Sequence, residues 1–193
     1  YAILSGLVGS EMCIRDRQMT SWKLVEEWNH MGKWNKTSFV LLWGWLSLLL
    51  FSPYLIESGT TGDLSGVVGK YDNKEVIEEM NIIARGIYYI GDLNCHQLSH
   101  RSYSYNDNQM SFCARDTGIF LGLVIGFMYA SRKRTVLTLP LVIAALIPIG
   151  LDGTIQLLTD YESTNPKRLI TGLIAGAVTG VAIKIIADSL DNK

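Results

Sequence analysis

Long apolar runs alternate with polar segments along this chain, and the runs predict transmembrane helices. The first run, residues 37–56, carries no charged side chain, and about 20 such residues suffice to cross the hydrocarbon core of a bilayer. Further apolar runs cover about 110–130, 135–158 and 168–187. The third contains Pro140 and Pro148, which membrane helices tolerate. We therefore predict an all-α fold, a polytopic transmembrane helical bundle of four spans.

An amphipathic helix is predicted between the first two runs. Asp72 offers an N-cap, and Glu75 three residues later completes a capping box. The apolar residues that follow recur at helical period: Val76, Met80, Ile83, Ile87 and Ile90. We expect this helix to lie on the outer membrane surface, since one of its faces is apolar and the other polar.

The N-terminal residues have a different origin from the rest. Residues 8–17 match the translation of a sequencing-library adaptor throughout, so residues 1–17 are set aside as a probable adaptor artefact. The expected start is then Met19 or Met31. Cys13 drops out of the count, which leaves Cys95 and Cys113 as an even pair. Residues 18–36 are interpreted as a cytoplasmic lead-in, and residues 37–193 as a single membrane domain.

The distribution of basic residues predicts the orientation. Lys and Arg concentrate in cytoplasmic flanks of membrane helices, and two groups agree here: Arg132 to Arg134 after the second run, and Lys23, Lys33 and Lys36 before the first. We therefore expect a protein of the cell membrane, with both termini on the cytoplasmic side and residues 57–109 outside. The formal net charge is −1, so no basic field indicates nucleic acid. The expected partner is the lipid bilayer, and the sequence leaves a homo-oligomer as an open alternative.

Polar residues converge at the outer ends of the predicted spans. Ionisable groups at membrane depth are costly and usually face a bundle interior in pairs, so His96, Arg115, Asp152 and Arg168 are candidate catalytic residues. Six others are candidates for a supporting polar role: Gln97, Arg101, Asp116, Gln156, Glu162 and Asn165. The alternative is that the charges only fix helix ends at the interface by snorkelling. That alternative is favoured for Asp116 and Glu162, and function is favoured for Asp152.

The two remaining cysteines admit three interpretations. On an oxidising outer face a Cys95–Cys113 disulfide is natural, and closing its loop would be worth about 3 kcal/mol. A metal site is the second, because Cys95, His96, His100 and Cys113 supply the thiolates and imidazoles that Zn²⁺ or copper prefers. A thiolate nucleophile ranks last, since oxidation would inactivate it. The disulfide ranks ahead of the metal.

Glycines recur every fourth residue in the second and fourth runs. Such spacing gives a helix face without side chains, which allows close helix packing. The two sets are Gly118, Gly122 and Gly126, and Gly172, Gly176 and Gly180. Each set opens with Thr-Gly shortly after an arginine. This similarity indicates that the chain consists of two related halves of two helices each, in a parallel repeat. The alternative is that the similarity arose by chance.

Several of these motifs together resemble a known family. They are Cys95-His96-Gln97, Arg101-Ser102, Cys113-Ala114-Arg115-Asp116-Thr117-Gly118, Leu151-Asp152-Gly153, Gln156, Glu162-Ser163-Thr164-Asn165, Arg168 and Thr171-Gly172. The set resembles domain-of-unknown-function family 2085, small predicted membrane proteins of archaea and bacteria. The likeness covers roughly residues 91–180 and implies a polytopic membrane fold, without an activity.

Three classes of function follow from these patterns. The first is a metal-binding membrane protein, which could be a membrane-embedded enzyme with zinc or copper. The second is a small transporter or channel with Asp152 and the arginines along its path. The third is an accessory or structural protein stabilised by a Cys95–Cys113 disulfide.

Overall fold

The computed structural model describes residues 28–193. The expectations about residues 1–17, including Cys13 and the start at Met19, lie outside this range, as does the part of the lead-in before residue 28. The elements from Lys33 onward are named here in chain order. The helices are α1 Lys33–Phe51, α2 Lys74–Glu78, α3 Ile82–Asn94, α4 Ala114–Arg132, α5 Leu139–Leu158 and α6 Asn165–Asp191, and the strands are β1 Ser102–Tyr105 and β2 Asn108–Cys113.

The fold is mostly helical, and three of its segments are long and apolar enough to cross a membrane. Within residues 28–193 these are Lys33–Tyr54, which contains α1, and the helices α5 and α6. Helix α4, with 19 residues, is not among them. The charged Arg115 and Asp116 in its first turn lower its mean hydropathy. The described residues therefore form a mostly helical chain with three candidate spans.

A β-hairpin departs from the all-α prediction. Strands β1 and β2 pair antiparallel, with Tyr105 opposite Asn108. The two residues between them, Asn106 and Asp107, have φ angles of 55° and 56°, as a two-residue hairpin turn with left-handed backbone requires. Helix α4 therefore begins at Ala114 rather than near Met110. The prediction misses the hairpin because Met110, Phe112 and Cys113 of β2 lead directly into the apolar run of α4 and so are assigned to the span.

The amphipathic segment forms two helices instead of one. The Asp72 carboxylate does not cap a helix but accepts a hydrogen bond from the Val67 backbone N–H at 2.7 Å. The chain breaks after α2, and the Asn81 side chain caps α3 by accepting from the backbone N–H groups of Ile83 and Ala84, each at 3.1 Å. The capping-box prediction at Asp72 is wrong because Asn81 provides the stronger N-cap one helix later.

Residues 52–113, here called the headpiece, have their own apolar core. Residues from α2, α3 and the preceding loop bury together: Ile56, Leu64, Ile77, Met80, Ala84 and Tyr88. The buried Asn108 amide and the Tyr88 hydroxyl hold the hairpin onto this core. Asn108 donates to the backbone oxygens of Pro53 and Glu57 at 3.0 and 2.9 Å. The Tyr88 hydroxyl donates to the Gln109 backbone oxygen at 2.7 Å, and burial raises the pKa of Tyr88 to about 12.

Helices α4 and α6 run parallel and touch backbone to backbone along their glycines. A Cβ on Gly118 or Gly122 would lie against the backbone oxygen of Leu169 or Leu173, far inside van der Waals contact. The glycines of α6 face α4 reciprocally, with Gly176 against the Ile119 backbone oxygen. The remaining three, Gly126, Gly172 and Gly180, make equally close backbone contacts. Side chains are excluded from this contact, which lets the first turns of α4 and α6 lie next to each other.

The start of α1 contacts the last turn of α6, at the end of α6 away from the headpiece. Asp191 accepts hydrogen bonds from the backbone N–H groups of Trp34 and Asn35 at 2.8 and 3.0 Å, and its carboxylate takes the space that a side chain on Gly32 would need. The buried Asn35 side chain donates to Asp188 at 2.9 Å. The N-terminus of α1, which has no cap from its own N-cap residue, is therefore completed by the last turn of α6.

Candidate functional site

The chain after α3 turns back along β2, and this turn brings Cys95 to Cys113. The buried Gln97 has a left-handed backbone, with φ of 45°, and its side-chain amide donates to the Ser111 backbone oxygen at 2.7 Å. Gly91 lies so close to the same oxygen that any side chain would overlap it. The backbone N–H of Cys113 then points at the Cys95 sulfur, at 3.4 Å. The position of Cys95 is thus fixed by backbone contacts on both sides.

Cys95, Cys113 and Asp116 form a compact cluster. Their two sulfurs and one carboxylate oxygen all lie within 4.8 Å of one another, and the Cys113 sulfur is 3.2 Å from Asp116 Oδ2. Cys113 is the N-cap residue of α4, so Asp116 lies one helical turn later on the same side. Both cysteines are free thiols, Cys95 buried and Cys113 partly so.

The two thiols are electrostatically unequal. The interaction between the two thiols, together with burial, raises the pKa of Cys95, whereas the same interaction lowers the pKa of Cys113. A thiolate is the form that binds a metal ion or attacks an electrophile.

A cavity of about 210 Å³ opens beside this cluster. It lies between the headpiece and the first turns of α4 and α6, and the end of α5 reaches it through Gln156. Its polar lining includes Cys95, His96, Gln97, Arg101, Cys113, Arg115, Asp116, Gln156 and Arg168. Polar groups from four separate parts of the chain therefore converge on one small space, as ligand-binding clefts do.

Arg115 and Asp152 join α4 to α5. Arg115 Nη2 forms an ion pair with Asp152 Oδ2, and the Asp152 side chain is only 9% exposed. Arg115 also lies 3.4 Å from Gln156. With its amide oxygen turned toward α6, Gln156 accepts from the Ser163 backbone N–H at 3.2 Å and from Arg168 Nη2 at 2.6 Å. Asp152 is therefore the ion-pair partner of Arg115, whereas Gln156 is a hydrogen-bond partner of the neighbouring Arg168.

Glu162 gathers three cationic or ionisable partners above α6. His100 Nε2 lies 2.9 Å from its carboxylate, Arg101 Nε 3.1 Å and Arg168 Nη2 3.5 Å. The hydrogen bond from Arg101 holds the pKa of Glu162 below its ordinary value. The Arg168 side chain is 3% exposed, against 52% for Glu162. Arg168 therefore shares an exposed carboxylate with two other groups, and its own nearest neighbour on α6 is Asn165 at 3.3 Å.

The structure brings together some predicted site residues and separates others. Cys95 and Cys113 meet, and His96 lines the same cavity from an exposed position. His100 faces Glu162 instead of the sulfurs. Asp116, which the sequence favoured as a helix-end charge, contacts Cys113. Ser111, which no motif suggested, positions Gln97 through its backbone; a backbone contact of this kind leaves no signal in residue type.

Comparison with known proteins gives the class of the chain. Residues 95–182 match a family described as predicted membrane protein, domain-of-unknown-function family 2085. An uncharacterized protein of Methanothermobacter thermautotrophicus is 37% identical over 95 residues, which cover 48% of this chain and 86% of that protein. An uncharacterized protein of Methanocaldococcus jannaschii is 39% identical over 95 residues, which cover 47% of this chain and 61% of that protein. No solved structure matches the chain.

The chain belongs to this family of predicted membrane proteins. The matched region begins at Cys95 and ends within α6. It contains the cluster, the hairpin, the arginines of the cavity and both glycine faces, whereas α1, α2 and α3 lie outside it. The resemblance inferred from the motifs is confirmed.

Proposed function

We propose that the protein crosses the membrane four times, with α1, α4, α5 and α6 as spans and the headpiece outside. The length of α4 supports its assignment as an additional span. Its 19 residues rise about 28 Å, and the hydrocarbon core is about 30 Å thick. Its contact with the apolar α6 runs through Gly118, Gly122 and Gly126. A helix in such contact with a span shares the depth of that span.

The basic residues support the orientation. Arg132 ends α4, and Lys33 opens α1. Arg132, Asn35 and Asp191 line one common pocket, so the end of α4, the start of α1 and the end of α6 lie at the same level. This level is the cytoplasmic side by the excess of Lys and Arg in its flanks. The cavity with Cys95 then lies at the outer side.

Labelling of introduced cysteines tests this arrangement. Asn106→Cys at the tip of the hairpin is expected to react with a membrane-impermeant maleimide in intact cells, and Ser131→Cys at the end of α4 only after the cells are opened. The unmodified protein provides the background from its own thiols. Reaction of Asn106→Cys only after opening would reverse the orientation, and reaction of both sites in intact cells would remove α4 from the spans.

We also propose that the outer cavity holds a metal ion, with zinc as the best fit, bound by Cys95, Cys113 and Asp116. The observation that carries this proposal is the approach of these three ligand atoms to within 4.8 Å. Two thiolates and a carboxylate are ligands that zinc accepts. Three protein ligands beside a cavity leave a coordination position for water or a bound group, as in catalytic zinc sites. His96 lines the same cavity and is available as a further ligand.

Elemental analysis of the purified protein, combined with a thiol count, tests the metal. We expect about one zinc per chain and two protected thiols that become reactive after chelation. Cys113→Ser is expected to lower metal affinity by more than about 100-fold, the upper end of what loss of an outer-shell partner costs. Asp116→Asn should weaken binding less, because an amide oxygen can still coordinate but lacks the charge.

His100→Ala is the matched control, since His100 faces Glu162 instead of the cluster. Its metal content should equal that of the unmodified protein. Metal loss in His100→Ala would favour the set Cys95, His96, His100 and Cys113 inferred from sequence. A missing pair of thiols that reappears only on reduction would show a Cys95–Cys113 disulfide and would refute the metal site.

A further inference from the structure

We infer that the outer cavity binds a phosphate group through Arg101, Arg115 and Arg168. The inference names a class of ligand for the proposed metal site. It depends on the proposed function only for the metal ion, because the three guanidinium groups belong to the chain itself. Three arginines line a cavity of about 210 Å³. Guanidinium groups bind phosphate oxygens through paired N–H donors, and a volume of this size accommodates one phosphate group beside a metal ion.

The charges that face the cavity are mostly positive. Asp116 is the carboxylate in its lining, whereas Asp152 and Glu162, which pair with the arginines, stand behind them. With Zn²⁺ bound by two thiolates and the Asp116 carboxylate, two positive charges meet three negative ones, so the cluster carries a net charge of −1, against three guanidinium groups in the lining. The lining therefore presents three guanidinium groups to whatever occupies the cavity.

Arg168 is the strongest element of the argument because it is a buried cation whose close acceptors, Gln156 and Asn165, are neutral amides. Its side chain is 3% exposed, and its nearest carboxylate, Glu162, lies 3.5 Å away and is shared with Arg101 and His100. A buried ion needs a close partner and satisfied hydrogen bonds to offset its lost hydration, and at membrane depth such residues mark functional sites. An anion in the cavity supplies the partner that Glu162 only shares.

Arg115, beside Arg168, adds an unsatisfied donor. Its Nη2 is held by Asp152, but its buried Nε has no hydrogen-bond partner among residues 28–193. The ion pair with Asp152 fixes the plane of the guanidinium without using all its donors. Arg115 on α4 and Arg168 on α6 are held together by the glycine contact of these helices, so the two donors are arranged before the ligand arrives.

The phosphate can come from solution or from a lipid headgroup, because the cavity lies at the outer end of the spans. Titration of the full-length protein in nanodiscs separates these sources. Inorganic phosphate is titrated by calorimetry into protein in phosphatidylcholine nanodiscs, and again in nanodiscs that contain phosphatidic acid. Saturable binding that phosphatidic acid abolishes assigns the cavity to a phospholipid headgroup, and unchanged binding assigns it to free phosphate.

We expect Arg168→Gln to weaken phosphate binding by at least about tenfold, with a smaller loss for Arg101→Gln. Arg132→Gln, an exposed arginine at the other end of α4, is the control and should bind as the unmodified protein does. Arg101 is partly exposed, so Arg101→Gln decides the matter if Arg168→Gln fails to fold.

Each titration is performed with metal-loaded and with chelated protein, and with Cys113→Ser. Phosphate binding that persists in Cys113→Ser while zinc is absent from every preparation would reject the metal site and retain this inference. Absence of saturable phosphate binding in both metal states would overturn the inference, whatever the metal content. Equal affinity of Arg168→Gln, Arg101→Gln and the unmodified protein would overturn it as well.

Discussion

Gly122→Leu is expected to abolish stable folding, with a loss of more than about 3 kcal/mol. A Cβ alone at this position would overlap the backbone oxygen of Leu173 and the backbone of Gly176 and Ala177. Because those atoms belong to the helix backbone, they cannot rotate away, so α4 and α6 would have to separate. The measurement is the thermal transition in detergent, together with the yield of monodisperse protein.

Gly44→Leu is the matched control. Gly44 lies in the middle of α1, and a Cβ there would meet nothing within 4 Å. The same change of residue in another candidate span should therefore leave the transition close to its original temperature. Gly122→Ala should fall between the two, since one methyl group still overlaps the α6 backbone. Equal stability of Gly122→Leu and Gly44→Leu would show that the glycine face of α4 is not a packed contact.

Arg115→Met is expected to destabilise the protein by about 3–5 kcal/mol, because it leaves the Asp152 carboxylate without its cation. The Asp152 side chain is 9% exposed, so water cannot fully replace the guanidinium. The double variant Arg115→Met with Asp152→Leu should recover most of the loss, since neither charge is then stranded. The coupling is read from the unfolding free energies of the two single variants and the double variant.

The exposed pair Lys74 and Glu78 provides the comparison. Its atoms lie 3.5 Å apart, with side chains 64% and 54% exposed, and such pairs contribute about 0–1 kcal/mol. Lys74→Met should therefore change stability little. A loss in Arg115→Met as small as that in Lys74→Met would contradict a desolvated pair between α4 and α5.

The helices are predicted well from the sequence, because their apolar runs are long and their apolar residues recur at a clear helical period. The failures lie in the headpiece. The second span is predicted from about residue 110, which takes residues 110–113 of β2 into it, although Asn106 and Asp107 form a hairpin turn just before. In so short a segment, Met110, Phe112 and Cys113 fit the start of an apolar span as well as one face of a strand. The split between α2 and α3 was missed for a similar reason: the helical period continues through Met80 and Asn81.

The sequence predicted which residues form the site, but not all of the contacts between them. Cys95 and Cys113 are predicted to share a disulfide or a metal ion, and Arg115 and Asp152 are predicted among the polar residues at the outer ends of the spans. The choice of Asp116 over His100 beside the sulfurs was not accessible from residue type. It depends on where α4 begins: a start at Ala114 makes Cys113 the N-cap and turns Asp116 toward it.

The contact between Asp191 and the start of α1 determines the order in which the protein can be completed. The backbone N–H groups of Trp34 and Asn35 pair with a carboxylate that lies 157 and 156 residues later in the chain. Folding during synthesis therefore cannot finish the start of α1 before the last turn of α6 has been made. A nascent chain arrested before Asp191 would carry an α1 whose first backbone N–H groups still lack their acceptor.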